Sequence, residues 1–176
     1  DSYQEERRPH AKFVVENSAG IGELMEAYAQ ASDPNEVPKE LVAKGYGSFV
    51  LPNLDEGLFY GGKAVDSMAA GQLFPQIVVY EDGAISERKD CLFGDGFTLI
   101  SQHEISISDT HRDFLNKLNC NYLILDKEII DSNPWVKGFL EIGNTFIVRP
   151  DKYIYGCSGN NVSLEQIIED LKIRMK

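Results

Sequence analysis

From Gln76 to the C-terminus, short β-branched and aromatic runs alternate with helical patterns, and this alternation restricts the possible folds more than any other feature of the chain. Ile77-Val-Val-Tyr80 predicts a strand, closed by a turn at Glu81-Asp-Gly83. Phe97-Thr-Leu-Ile-Ser101, bounded by Gly94, Asp95 and Gly96, predicts a short buried strand. Ser108 is placed to cap a helix reaching Leu118, with Phe114, Leu115 and Leu118 on its apolar face. Tyr122-Leu-Ile-Leu125 is the next strand, and Trp135–Ile142 a short helix stopped by Gly143 and Asn144. Thr145–Arg149 and Tyr153–Tyr155 flank Pro150-Asp-Lys152 as a hairpin. Ser163 opens a last amphipathic helix through Leu164, Ile167, Ile168 and Leu171. Its end carries Lys172, Arg174 and Lys176, where the helix dipole favours cations.

A strand–helix–strand crossover makes the 97–101 and 122–125 strands parallel neighbours, while the hairpin adds antiparallel strands. The result is an α/β domain: a mixed sheet with helices on both faces. The expected core is Ile77, Val79, Phe97, Leu99, Phe114, Leu118, Leu123, Leu125, Phe146, Val148, Ile154, Ile167 and Leu171.

Upstream, residues 2 to about 30 read as one long helix bent near Pro9, which lacks a backbone donor. Phe13, Val14, Ile21, Leu24, Met25 and Tyr28 form its apolar stripe. Ser32-Asp-Pro-Asn35 stops it, and a short helix follows at Pro38–Ala43. Between Gly45 and Pro75 periodicity fades, although Phe49, Val50, Leu51, Leu58, Phe59 and Tyr60 are apolar. The expected organisation is a helical extension at 1–44, an irregular linker at 45–75 and a compact domain at 76–176. The chain opens with Asp1 rather than Met, within a stretch that already reads as helical, so a piece of a longer protein is expected.

The balance of 17 Lys+Arg against 28 Asp+Glu leaves a net charge of −11. So acidic a chain has no broad attraction for phosphate backbones or anionic lipid, and neither nucleic acid nor membrane is expected as a partner. Three cysteines, Cys91, Cys120 and Cys157, are too few and too scattered for a disulfide framework and suit a reducing cytoplasm.

No motif carries chemistry. The Gly-x-Gly pairs at Gly20/Gly22, Gly45/Gly47 and Gly94/Gly96 lack the strand before and helix after that seat a pyrophosphate, and read as turns. No two cysteines form Cys-x-x-Cys, so a thioredoxin-type redox couple is not expected; all three read as buried or strand-edge packing residues. His10, His103 and His111 read as solvated, and Asp109-x-His111 does not put two metal ligands on one helix face. Composition leaves a Ser/His/Asp triad open, but there is no Gly-x-Ser-x-Gly elbow. No catalytic, cofactor-binding or metal-ligating residue is assigned.

Two stretches carry a family likeness. Ser2-Tyr-Gln-Glu-Glu-Arg-Arg-Pro-His-Ala11 resembles the segment that closes the flavin-binding part of FAD-dependent aromatic-ring hydroxylases and opens a long helix. Gly71–Gln76, Asp90–Ile100 and Phe146–Ile154, in that order, resemble the C-terminal domain of the same group, and the Arg149-Pro-Asp151 turn is the most specific piece. In phenol hydroxylases and 3-(3-hydroxyphenyl)propionate hydroxylases this domain is thioredoxin-like. The resemblance implies a parent oxidoreductase, a flavoprotein monooxygenase using FAD, NAD(P)H and dioxygen on a phenolic ring. The family's flavin-contacting motifs are absent here, so no cofactor is expected in this chain. The resemblance also implies a structural role: packing on an upstream flavin-binding domain and supporting oligomers. The helix around Phe13–Tyr28 and the segment Phe49–Phe74 carry more apolar residues than a small extension hides alone, so at least a dimer is expected, with Phe13, Ile21, Leu24, Met25 and Tyr28 near the contact; the alternative is a monomer in which residues 1–70 fold back on the C-terminal domain. The alternatives are a stand-alone thioredoxin-like binding or redox module without Cys-x-x-Cys, and an unrelated α/β domain.

Overall fold

The computed structural model describes residues 2–45, 53–62, 69–81, 84–88, 90–159 and 161–176. The chain divides into two compact units, Asp1–Leu54 and Asp55–Lys176.

The first unit is helical. α1 runs from Ser2 to Gln30 as the one long helix expected, with Pro9 inside it. A 3-10 turn follows at Pro34–Glu36, where the Asp33 carboxylate accepts the Asn35 amide at 2.8 Å. α2 spans Lys39–Ala43, with Pro38 at its N-cap. The most deeply buried face of α1 holds the polar side chains of Glu6, His10 and Asn17, while Phe13, Val14, Ile21 and Leu24 are half-buried and Met25 and Tyr28 exposed. Spacings of four and seven residues put Glu6, His10 and Asn17 on the same side as Phe13 and Leu24, so the stripe is apolar only in part. His10 is therefore buried, not solvated.

In the second unit β1 (Val78–Glu81) pairs antiparallel with β2 (Ala84–Arg88), a strand that the sequence did not announce. The expected turn between them falls partly outside the described residues. β3 spans Thr98–Ser101, α3 Asp109–Lys117 and β4 Asn121–Ile124. α4 (Lys127–Ser132) and α5 (Pro134–Ile142) follow, then β5 (Thr145–Val148), β6 (Ile154–Ser158) and α6 (Leu164–Arg174). The sheet order is β4-β3-β5-β6, with β3 parallel to β4 and the β3–β5 and β5–β6 pairs antiparallel. A parallel β-α-β half joined to an antiparallel hairpin and a closing helix is the thioredoxin-like arrangement.

Local chemistry explains the elements. Ser108 and Asp126 cap α3 and α4 by accepting the His111 and Ile129 amides. Ser163 and Gln166 form a reciprocal capping box on α6. β3 and β5 are buried at every residue, so both faces of the sheet are covered. On one face Phe139 of α5 packs against Phe146 at 6.3 Å between ring centroids, with Phe74 and Phe93 completing the aromatic cluster.

The core differs from expectation in detail. Val79, Phe114, Leu118 and Leu123 are half-buried, whereas Leu115, Ile100, Ile147, Tyr155, Ile168 and Val136 are fully buried. α3 turns His111 and Leu115 inward, a face centred about 60° round from that of Phe114 and Leu118. The segment 69–74 is not free of the domain. Gly71 N donates to Ile154 O (3.0 Å), Ile154 N to Gln72 O (2.8 Å) and Phe74 N to Lys152 O (2.9 Å). It thereby covers the start of β6, while no described strand pairs with the outer edge of β4.

Candidate functional site

In a β-α-β unit, ligands and reactive groups gather where a strand ends and the next helix begins. Here that place is the joint from β3 to α3, Gln102-His-Glu-Ile-Ser-Ile-Ser108. It holds no cysteine. At its start, His103 N donates to Ser101 Oγ at 3.1 Å, and Ser101 Oγ donates to Asn144 O at 3.3 Å.

His111 was expected at the surface and is instead buried, because the inward turn of α3 aims it at α6. Its Nδ1 lies 3.1 Å from Ser108 Oγ and its Nε2 2.8 Å from Glu169 Oε1. Lys172 Nζ donates to the same carboxylate oxygen at 3.0 Å. These contacts hold the Glu169 carboxyl below the usual carboxylate range, Lys172 contributing first and His111 second. With the ring proton on Nε2, assigned from the acceptor it faces, the chain runs Ser–His–Glu, the order of an activated hydroxyl. Ser108 is already committed elsewhere. It accepts the His111 amide as helix cap and lies 2.9 Å from Thr110 Oγ1. The cluster ties α3 to α6.

An open cleft of about 480 Å³ lies beside β4, the edge strand among the described residues, lined by Glu104, Ile105, Ser106, Arg112, Tyr122 and Ile124. The Arg112 guanidinium stands 5.8 Å over the Tyr122 ring. The Tyr122 hydroxyl is buried without a hydrogen-bond partner. Burial pushes its pKa up, Cys120 adds to this, and Arg112 opposes it. The cleft brings together a cation, a carboxylate, a phenol and the Ser106 hydroxyl. No sequence motif marked it, because it is assembled from a loop, a helix and an edge strand.

Of the cysteines, Cys120 and Cys157 are buried, and desolvation pushes their thiols up to about 12 and about 11. A thiol held protonated is a poor nucleophile. Cys91 corrects the expectation of packing: it sits exposed in the 3-10 turn Asp90–Phe93. Among the described residues no group of His, Cys, Asp and Glu is arranged to hold a metal ion. No described helix is long and apolar enough to cross a membrane.

The Arg149-Pro-Asp151 turn is a structural clamp. The buried Arg149 guanidinium donates to Asp151 (3.1 and 2.9 Å) and to Leu58 O (3.2 Å), and it stacks 5.2 Å over Phe59. A second clamp lies on α6. Asp170 accepts from the Tyr155 hydroxyl, from Arg174 Nε (2.8 Å) and from Gly61 N (3.3 Å). Tyr155 reaches it from an irregularity in the β5–β6 register, and burial together with Asp170 drives its pKa well above the usual phenol range.

No family model matches the sequence, and no curated protein matches it. Solved structures do resemble it. RebC-10x soaked with chromopyrrolic acid and holding 7-carboxy-K252c matches at 16% identity with a TM-score of 0.58, over 97% of this chain and 35% of that one. RebC with bound 7-carboxy-K252c matches at 18% and 0.58, over 97% and 36%. The rebeccamycin biosynthetic enzyme RebC with reduced flavin matches at 16% and 0.56, over 97% and 36%. The chain thus spans about a third of the length of the proteins it resembles. At such identity the likeness is one of fold.

Proposed function

We propose that this chain is the non-catalytic C-terminal part of a flavin-dependent monooxygenase that hydroxylates a phenolic or related aromatic substrate with NAD(P)H and dioxygen. The observation that carries the reading is the likeness to RebC, a structure of which holds reduced flavin. The likeness takes in nearly the whole chain, long helix included, but about a third of RebC. That is the pattern of one portion of a flavoenzyme. The residues agree with it. The strand-to-helix joint offers no redox thiol, and the two buried thiols are held neutral. FAD and NAD(P)H belong to the upstream flavin-binding domain, which is the first partner of this chain. The role left to the chain is to pack on that domain and support assembly, with the α1 stripe of Phe13, Ile21, Leu24, Met25 and Tyr28 as one contact.

The reading frame upstream of the Asp1 codon tests this. It is expected to encode a Gly-x-Gly-x-x-Gly after a strand pattern, and the full product is expected to oxidise NAD(P)H in the presence of a phenol. A start codon immediately before Asp1 would overturn the proposal.

A further inference from the structure

The one tryptophan of the chain, Trp135, is 80% exposed, the most exposed large apolar residue described. It sits on α5, whose inner face is accounted for by buried Val136 and Leu140. The outer face is not. At 100° per residue Gly138 is the centre of that face, with Trp135 and Ile142 along one side and Lys137 and Glu141 along the other. Ile142 is 38% exposed, and Lys137 and Glu141 are both exposed. A Cβ built on Gly138 would meet nothing within 4 Å, so the middle of the face is a shallow saddle open to solvent.

We infer that α5 is a self-association surface, pairing antiparallel with α5 of a second copy of this chain about a two-fold axis near Gly138. The face is complementary to itself in that orientation alone. A two-fold lying in the contact plane and perpendicular to the helices keeps each side of the helix against its own copy while reversing direction. Trp135 then meets the second copy's Ile142, and Lys137 meets the second copy's Glu141. Both pairs repeat across the axis. A parallel pairing would set the apolar side of one helix against the charged side of the other. Gly138 lets the two backbones approach closely, as small residues do at helix crossings. Among the described residues Lys137 and Glu141 form no ion pair within their own chain, so both are available across the axis. The opposite charges also answer a specific obstacle, since two chains of net charge −11 repel one another. A helix of nine residues is about 13 Å long, which makes a contact below the standard interface size and a weak, reversible dimer. The contact does not depend on the flavoenzyme reading, and it is distinct from the α1 stripe.

Sedimentation equilibrium of the whole chain from roughly ten to several hundred micromolar tests it, with tryptophan emission as a second readout. Trp135 is the one fluorophore of its kind, so burial in the contact moves the emission maximum to the blue as concentration rises. Lys137→Glu and Glu141→Lys are each expected to raise the dimer dissociation constant about tenfold, the size of a desolvated charge pair. The double reversal is expected to restore it. Gly138→Gln is expected to abolish association while leaving the circular dichroism spectrum and melting temperature of the monomer intact, since its site is open. A monomer at every concentration would overturn the inference. So would a dimer indifferent to these substitutions but dissolved by Leu24→Glu, or a double reversal that fails to restore association.

Discussion

Single side chains in this domain are occupied with holding elements together. Arg149, Asp170, His111 and Asn133 each bridge pieces distant in sequence. Asn133 accepts from Val78 N and donates to Val78 O, both at 2.9 Å, in the way a neighbouring strand would. The cysteines give the residue scale its sharpest test. Cys120 and Cys157 are raised to about 12 and about 11 by burial, so at pH 8 neither thiolate is populated in the folded state, while Cys91 is exposed. Ellman titration at that pH is expected to count one fast thiol in the native chain and three after denaturation, with Cys91→Ser removing the fast one. The sign is consistent with stability: a raised thiol pKa favours the native state at and below the ordinary thiol range. That contribution is lost as pH rises through the folded values. Fast reaction of two or more native thiols would contradict the burial.

At the scale of elements, much was legible. The strands β1, β3, β4, β5 and β6 and the helices α1, α3, α5 and α6 lie where period and caps placed them, because Ser108, Ser163, Gly143 and the Pro150 turn are local signals. What the sequence hid has physical causes. β2, Ala-Ile-Ser-Glu-Arg, alternates weakly and exists through pairing with β1. α4 is one short turn and a half, defined by the Asp126 cap rather than by an apolar stripe. The cleft beside β4 and the face of α5 were illegible because periodicity reports what faces the core, not what is left outside. Gly96 shows how elements depend on one another. A Cβ there would strike Asn119 O and come within 2.7 Å of Leu118 O, backbone atoms at the end of α3 that cannot swing aside. Gly96→Ala is expected to cost about 3 kcal/mol, the upper end for overpacking. Gly138→Ala, in open space, is expected to be neutral or stabilising by up to about 1 kcal/mol through helix propensity. Thermal or urea denaturation of the two variants checks both values. Equal effects would mean that the crossover from β3 through α3 is looser than described.

For the molecule as a whole, the α/β domain has a thioredoxin-like strand arrangement whose β3–α3 joint carries no cysteine. In fold the chain resembles about a third of RebC, and its net charge of −11 opposes contact between copies unless complementary charges meet. The central claim is that flavin chemistry lies outside this chain. Equilibrium dialysis of the purified chain against FAD measures it most directly. With no strand–glycine loop–helix unit among the described residues to seat a pyrophosphate, the account predicts equal flavin absorbance on both sides of the membrane at protein concentrations of roughly a hundred micromolar, the weak end of cofactor affinity. Flavin retained with the protein at a saturating ratio near one per chain would contradict it.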